Sequence, residues 1–152
     1  MSSLSFREAA TPDLPTIIAI LADDDFGRGR ENASLPLDQA YVNAFHAIVT
    51  DPHQHLILVE QEGEIAGFFQ LSFIPGLSRK GAWRGNIESV RVVKSLRGKG
   101  IGEAMIRHAI ALCREKGCAT VQLTSDKQRN AAHRFYGRLG FVASHEGFKL
   151  AL

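Results

Sequence analysis

The chain has 152 residues, of which 45% are hydrophobic and 22% are charged, and its formal net charge is +2 at neutral pH. These values are typical of a globular domain with a real core, and the small net charge argues against general nucleic-acid binding. Two cysteines are too few for a disulfide framework or a zinc site. No apolar run is long enough to span a bilayer, and the first residues do not resemble a secretion signal. We therefore expect one domain over residues 1–152, in the cytoplasm, without a metal and without nucleic-acid or membrane partners.

The first half of the chain is expected to form a strand, two helices and a β-hairpin. Thr11 can cap the first helix with Pro12 at its first position, and a polar loop over 23–32 separates this helix from the next. Gly63 stands where a hairpin connection needs a positive φ. The predicted elements are a strand at 4–9, a helix from 11, a helix at 37–49, and strands at 55–60 and 65–74.

The second half alternates strands with helices, which indicates a mixed α/β domain. A glycine-containing loop over 78–85 precedes a Val-rich strand. The longest helix has a wide apolar band and is expected to pack closely on a sheet, and Gly117 is a good residue to end it. The predicted elements are a strand at 87–93, a helix at 100–116, a strand at 120–124, a helix at 130–139 and two short strands at 141–144 and 148–152.

A glycine-rich segment joins the Val-rich strand to the longest helix. Its sequence is Arg97-Gly98-Lys99-Gly100-Ile101-Gly102. Three alternating glycines let backbone N–H groups turn toward one anion, while two cations and the helix N-terminus add positive charge. The segment lacks the Gly-Lys-Ser/Thr ending of a Walker loop, and its third glycine is misplaced for a Rossmann fingerprint. The sequence therefore predicts a phosphate-binding loop of another kind.

This segment resembles the acetyl-CoA signature of the GNAT superfamily of N-acetyltransferases. The residues that carry the resemblance are Arg97-x-x-Gly100-x-Gly102 after a Val-rich strand, together with a late helix that ends in Phe135-Tyr136 and is followed by Leu139-Gly140-Phe141. The resemblance covers 65–152 well and the N-terminal third only in the order of elements. It implies an α/β fold of the GNAT acyl-CoA N-acyltransferase type, with a central splayed mixed sheet flanked by helices.

The resemblance also implies acetyl-CoA as co-substrate. Its pantetheine arm would pair with the strand at 88–93, where the N–H group of Val90 or Val92 would polarise the thioester carbonyl. Its pyrophosphate would rest on the segment 97–102. Many members have a CoA-contacting asparagine seven residues before the tyrosine; here Arg129 stands there, so either Asn130 serves after a shift or Arg129 replaces it. The implied cofactor-binding residues are Val90, Arg91, Val92, Arg97, Gly98, Lys99, Gly100, Ile101, Gly102, Arg129, Asn130 and Tyr136.

Two side chains are candidates for acid–base chemistry. Tyr136 matches the tyrosine that is the general acid in many members, where a phenol protonates the departing thiolate; a tyrosine packed for structure is the alternative. Glu88 lies on the strand that would face the acetyl group, a position where some members use a glutamate as base, directly or through water. The alternative for Glu88 is an ion pair with Arg84 or Arg91.

The implied reaction moves acetyl to a primary amine by direct attack in a ternary complex. No covalent enzyme intermediate is expected, because neither Cys113 nor Cys118 lies beside a recognisable base. The acceptor amine, on a small molecule or a peptide, is not identified by the sequence. The acidic run from Asp23 to Asp25 would attract a cationic acceptor if its loop borders the cleft; a solvated acidic turn is the alternative.

Two further expectations concern assembly and an alternative function. Homodimers are frequent in the family, which makes a homodimer one candidate assembly, although the sequence does not fix the oligomeric state. A non-catalytic acyl-CoA-binding sensor or regulatory module on the same fold is the alternative to an enzyme.

Overall fold

The secondary structure comes from a computed structural model that describes residues 3–25 and 28–152. Two residues of the predicted loop at 23–32, Phe26 and Gly27, lie outside the described residues. Short 3-10 turns cover Thr11–Asp13 and Lys94–Leu96. The strands and helices are β1 (Leu4–Glu8), α1 (Leu14–Ala22), α2 (Gln39–Thr50), β2 (Gln54–Gln61), β3 (Glu64–Pro75), the single turn α3 (Ser78–Gly81), β4 (Trp83–Val92), α4 (Ile101–Lys116), β5 (Thr120–Leu123) and α5 (Asn130–Arg138).

The five strands form one sheet in the order β1-β2-β3-β4-β5. Neighbouring strands are antiparallel from β1 to β4, and β5 is parallel to β4. A parallel pair needs a crossover connection, and α4 supplies it. The prediction of a mixed sheet flanked by helices is confirmed.

The sheet splays apart between β4 and β5. Among the described residues, β5 pairs with β4 only from Arg84 to Ile87, although β4 continues to Val92. Ser89 has a φ of 56°, and the β3–β4 register shifts between Phe68 and Gln70. This is a β-bulge, which bends a strand and increases its twist. The bulge therefore falls where the two strands separate.

Helices cover both faces of the sheet. On one face α4 packs against the strands, with buried Phe69, Leu71, Ile87, Met105, Ile106, Ala109 and Cys113. On the other face α1 and α2 pack against β2 and β3, with buried Leu14, Ile17, Ile18, Phe45, Leu56, Leu58 and Phe68. Gly85 permits the close approach of α4, because a Cβ at this position would lie 2.2 Å from Cys113 Sγ.

Several predicted boundaries and local conformations differ from the structure. The predicted first helix begins with the 3-10 turn Thr11–Asp13, whose N-cap is Ala10 rather than Thr11, and Asp13 Oδ2 accepts the Ala10 N–H group at 2.7 Å. Residues 83–85, predicted as loop, belong to β4 because all three pair with β3, and Arg84 and Gly85 also pair with β5. Residues 79 and 80, in the same predicted loop, adopt left-handed conformations with φ of 55° and 61°.

The prediction of two strands at 141–144 and 148–152 is wrong for this single chain. Residues 141–152 have no regular secondary structure, and Phe148 and Leu150 are 92% and 85% exposed. A strand forms only where a neighbouring edge offers hydrogen bonds, so strand propensity alone does not produce one. We name residues 141–152 the C-terminal segment.

No helix within the described ranges is long and apolar enough to cross a membrane.

Candidate active site

The glycine-rich segment forms a loop tied to the end of β4 and to the start of α4. Gly98 and Gly100 have φ of 78° and 83°, values that favour glycine. Gly100 O accepts the Ala104 N–H group at 3.1 Å, which begins α4, and Arg97 Nε donates to Val92 O at 3.1 Å. The first-turn N–H groups of α4 and the positive end of its dipole therefore lie beside this loop.

The loop lines an open cleft of about 440 Å³. The cleft brings together six of the residues predicted to bind cofactor, namely Val92, Arg97, Gly98, Gly100, Ile101 and Gly102. Five further lining residues were not predicted as site residues: Leu96, Glu103, Phe135, Arg138 and Leu139. Phe135 could have been found, because it belongs to the aromatic pair that carried the resemblance. Arg138 gives no such signal, since a cation near a helix end is ordinary in sequence.

The splayed edge of β4 presents backbone groups toward the gap. Val93 N–H donates to Ala66 O of β3 at 2.8 Å. Successive N–H groups of a regular strand point to opposite edges, so the N–H group of Val92, next to Val93, points away from β3. An extended ligand can hydrogen-bond such an edge as an added strand does.

Glu88 lies on the sheet face opposite α4. Gly85 and Ile87 face α4, so the alternating residues Asn86 and Glu88 face the other way. Asn86 Nδ2 donates to Glu88 Oε1 at 2.8 Å, and the carboxylate is exposed. The structure shows no ion pair between Glu88 and either Arg84 or Arg91 within its described residues. The alternative predicted for Glu88, an ion pair with one of those two arginines, is therefore not formed in the structure.

Tyr136 lies on α5, half-buried between two aromatic rings. Its ring centroid is 5.2 Å from that of Phe135 and 5.9 Å from that of Phe141, both in edge-on geometry. Burial raises the pKa of Tyr136 above its ordinary value, while the positive charges of Arg91 and Arg129 oppose that rise. The phenol is therefore protonated at neutral pH, as a general acid must be.

Arg91 and Arg129 meet at a carboxylate that follows α1. Arg129 Nη2 donates to Asp24 Oδ2 at 2.8 Å, and Arg91 Nη2 lies 3.0 Å from the same oxygen. The Asp24 side chain is only 11% exposed. The predicted acidic loop is thus neutralised at Asp24 rather than open to a cationic acceptor. Asn130, the other candidate for the family's asparagine, is the first residue of α5.

The bulge in β4 explains how the Arg91 side chain reaches the sheet face opposite α4. Val90 and Val92 pack with the core on the α4 side, which sends the Arg91 side chain to the face that carries Glu88. Without the extra residue, Glu88 and Arg91, three positions apart, would face opposite ways. Burial lowers the pKa of Arg91, and the Asp24 charge opposes this. The guanidinium remains a cation, because its ordinary pKa is far above neutrality.

Neither cysteine has the surroundings of a nucleophile. Cys113 is buried in the core, where burial raises its pKa to about 12. Burial also raises the pKa of Cys118. A nucleophilic cysteine needs the opposite shift. Over residues 3–25 and 28–152 there is no group of three or more His, Cys, Asp or Glu side chains that could hold a metal ion.

A splayed mixed sheet flanked by helices, with a glycine loop and a helix N-terminus at its open edge, is the fold of a class of acyltransferases. Residues 16–141 match the sequence profile of the Acetyltransferase (GNAT) family, and the chain belongs to this family. The predicted family is therefore confirmed.

Three relatives are similar over nearly the whole chain. An aminoalkylphosphonate N-acetyltransferase from Salmonella typhimurium is 31% identical, and the alignment covers 100% of this chain and 94% of that protein. A solved structure from Bacillus halodurans, described as a transcriptional regulator, is 45% identical with a TM-score of 0.96 and coverage of 99% and 100%. A Trypanosoma brucei acetyltransferase structure is 27% identical with a TM-score of 0.79 and coverage of 99% and 100%.

Proposed function

We propose that this protein is an N-acetyltransferase that moves the acetyl group of acetyl-CoA to a primary amine. One observation carries the proposal: the cleft at the splayed edge of β4 is lined by the glycine loop, the start of α4 and α5 together. Tyr136 lies on that helix, and Glu88 lies on the strand that forms the edge. Membership of an acetyltransferase family supports the same conclusion.

The residues of the cleft fit acetyl-CoA as donor. Gly98 and Gly100 hold positive φ and carry no Cβ, so a pyrophosphate can approach the loop backbone. Arg97 and Lys99 add positive charge at this loop. The outward N–H group of Val92 fits an amide group of a pantetheine arm.

The reaction needs a neutral amine, a polarised carbonyl and a protonated leaving group. Glu88 takes the amine proton, directly or through water. The N–H group of Val90 or Val92 donates to the carbonyl oxygen as negative charge develops there. The amine nitrogen forms the new bond to the carbonyl carbon, the carbon–sulfur bond breaks, and Tyr136 gives its proton to the thiolate sulfur. The nitrogen loses its second proton to solvent, and the Tyr136 phenolate regains a proton from solvent. The amide and free CoA are the products, and neither cysteine takes part.

A second candidate function is a non-catalytic acyl-CoA sensor or regulatory module. It is favoured by one observation, namely that the similar Bacillus halodurans structure is described as a transcriptional regulator. Such a module would bind acetyl-CoA in the same cleft and transfer nothing. The exposed carboxylate of Glu88 and the protonated phenol of Tyr136 favour the enzyme, because a sensor needs neither.

The proposed acceptor is an amine on a small molecule or peptide, and the proposed location is the cytoplasm. The similarity to an aminoalkylphosphonate N-acetyltransferase over the whole chain favours a small molecule. Nucleic acid and membrane are not proposed as partners, because the net charge is only +2.

The proposed assembly is a homodimer. The C-terminal segment presents Phe148, Leu150 and Leu152 to solvent at every second position, which is the spacing of one strand face. The sheet order ends at β5, so the outer edge of β5 carries backbone groups that no strand of the described chain pairs. We propose that the C-terminal segment of one copy pairs with the sheet of a second copy.

The experiment that tests the enzymatic proposal is an amine panel that follows free thiol release from acetyl-CoA. Release that depends on one class of amine, with the matching amide identified by mass spectrometry, is the expected result. Binding of acetyl-CoA without transfer to any amine would favour the sensor.

A further inference from the structure

The three residues Asp24, Arg91 and Arg129 carry an excess of positive charge in a half-buried place. Two guanidinium groups approach one carboxylate oxygen, Asp24 Oδ2, at 3.0 and 2.8 Å. The Arg91 and Arg129 side chains are 14% and 28% exposed. Arg30 is a further cation close enough to act on the charge of Arg91. Like charges are costly to hold together away from water unless an anion compensates them.

Arg91 is incompletely satisfied in this arrangement. Its Nη1 donates to Val90 O at 2.9 Å and its Nη2 pairs with Asp24. Its Nε is buried and has no hydrogen-bond partner among the described residues. A buried donor without an acceptor costs free energy, and such a group in a native structure is a reason to look for a ligand. The planar fork of a guanidinium matches carboxylate and phosphate oxygens.

The cluster formed by Asp24, Arg91 and Arg129 also lies beside the residues proposed for catalysis. The positive charges of Arg91 and Arg129 both act to lower the pKa of the Tyr136 phenol. The bulge at Ser89 puts Arg91 on the same sheet face as Glu88. The glycine loop and the α4 N-terminus already provide for a pyrophosphate in the cleft. A second positive site, on the face that carries Glu88, is placed for the acceptor, which gives Arg91 and Arg129 an acceptor-binding role in place of the predicted cofactor-binding role.

We infer that the acceptor amine carries an anionic group, a carboxylate or a phosphate-type oxyanion, which Arg91 and Arg129 bind. This inference rests on the proposed N-acetyltransferase function and names the acceptor class of the same site. The anion takes the unused Nε donor of Arg91 and compensates the excess charge. It thereby fixes the distance between the acceptor's anionic end and its amine, which must reach Glu88.

The test is a set of matched amines that share an aminoethyl chain. The anionic members are β-alanine, 2-aminoethylphosphonate and O-phosphoethanolamine, and the neutral-ended members are ethanolamine and propylamine. We expect kcat/KM to be about 10- to 100-fold higher for at least one anionic member than for both neutral-ended amines, because hydrogen bonds to charged groups are the strong ones. The ranking among carboxylate, phosphonate and phosphate identifies the source of the anion.

Two variants that each remove one positive charge separate recognition of the anionic group by Arg129 from a general effect of lower net charge. Arg129→Gln should lower kcat/KM for the preferred anionic amine at least about 10-fold more than it lowers kcat/KM for ethanolamine, and this difference should appear mainly in KM. Arg114→Gln removes one positive charge from an exposed position on α4 and should leave both values unchanged. An equal loss for all amines in Arg129→Gln would assign the residue a structural role and overturn the inference. Turnover of the neutral-ended amines as good as that of the anionic ones would overturn it as well.

A binding measurement distinguishes failure of the inference from failure of the proposed function. Calorimetry of the CoA-bound protein with 2-aminoethylphosphonate and with β-alanine needs no transfer. If no amine is acetylated but one of these anions binds and Arg129→Gln abolishes that binding, the anion site stands and the enzymatic function fails. If neutral-ended amines are acetylated and neither anion binds, the function stands and the inference fails.

Discussion

Gly102 on α4 and Phe135 on α5 are packed side by side, so that a Cβ at position 102 would be in van der Waals contact with Cζ of Phe135 at 3.6 Å. The two residues belong to the two sequence segments that carried the family resemblance. Both line the same cavity. The glycine loop and the aromatic helix therefore line one cleft together, although they are more than thirty residues apart in the chain.

Gly100→Ala is expected to weaken acetyl-CoA binding about 10-fold. Gly100 has a φ of 83°, and a residue with a Cβ pays roughly 1–2 kcal/mol to hold the left-handed conformation. Gly137→Ala is the matched control, because that helical glycine has open space around it and no positive φ. It should leave affinity unchanged and stabilise α5 by about 0.5–1 kcal/mol. Calorimetric titration with acetyl-CoA checks both, and equal affinities in the two variants would contradict the role of the loop.

Tyr136→Phe is expected to lower kcat by about 100-fold, because the leaving thiolate loses its proton donor. Affinity for acetyl-CoA should change by less than about 3-fold, since the interaction is made in the transition state. Steady-state kinetics together with a binding titration check this split. An unchanged kcat would assign Tyr136 a structural role.

The pH dependence of kcat gives an independent test of Tyr136 as the proton donor. Burial raises the pKa of Tyr136 above its ordinary value of 10.0, so the wild-type kcat should fall only above about pH 10, where the phenol loses its proton. That decline should be absent in Tyr136→Phe. Tyr41→Phe, which changes the other tyrosine of the chain, should retain it.

Gly85→Ala is expected to destabilise the fold by about 1–3 kcal/mol through overpacking. A Cβ at this position meets Cys113 Sγ at 2.2 Å. Cys113→Ala removes that atom, so the double variant should recover part of the loss in urea unfolding. Full additivity of the two changes would contradict the contact.

Cys113→Ala and Cys118→Ala should both retain most of the turnover. The pKa of each thiol is raised by burial, which leaves little thiolate at neutral pH. Initial-rate kinetics on each variant measure this. Loss of activity in both would point to a covalent cysteine intermediate.

Removal of residues 148–152 is expected to convert a dimer into a monomer. Lys149→Ser alone should keep the dimer, whereas the double change Phe148→Ser with Leu150→Ser should dissociate it, because these two apolar side chains are exposed in one chain. Light scattering after size-exclusion chromatography measures the mass. A monomeric wild-type protein at micromolar concentration would contradict the proposed assembly.

Local sequence patterns were enough to predict most of the fold and the glycine loop. Gly63, Gly100 and Gly117 have the positive φ that a hairpin, a loop and a helix end require, and sequence indicates such positions directly. The apolar band of α4 likewise predicted its packing on the sheet. In these places the physical cause and its effect lie within a few residues.

The cluster of Asp24, Arg91 and Arg129 could not be predicted, because its residues are far apart in the sequence. Arg129 and Asp24 are separated by 105 residues, and no local pattern brings them together. The bulge that turns Arg91 toward Asp24 rests on a positive φ at Ser89, a residue type that rarely adopts one. The C-terminal segment has strand propensity but no partner in one chain, so propensity predicted two strands that are not formed.

The central claim is transfer of acetyl from acetyl-CoA to an amine in this cleft. Its most direct test is incubation of the protein with isotope-labelled acetyl-CoA and the preferred amine of the panel, followed by mass spectrometry of all products. We predict that the label appears in the amide of the acceptor, in equal amount to the free CoA released, and that Tyr136→Phe slows both together. Label that stays in acetyl-CoA, or that appears only as acetate, would contradict the claim.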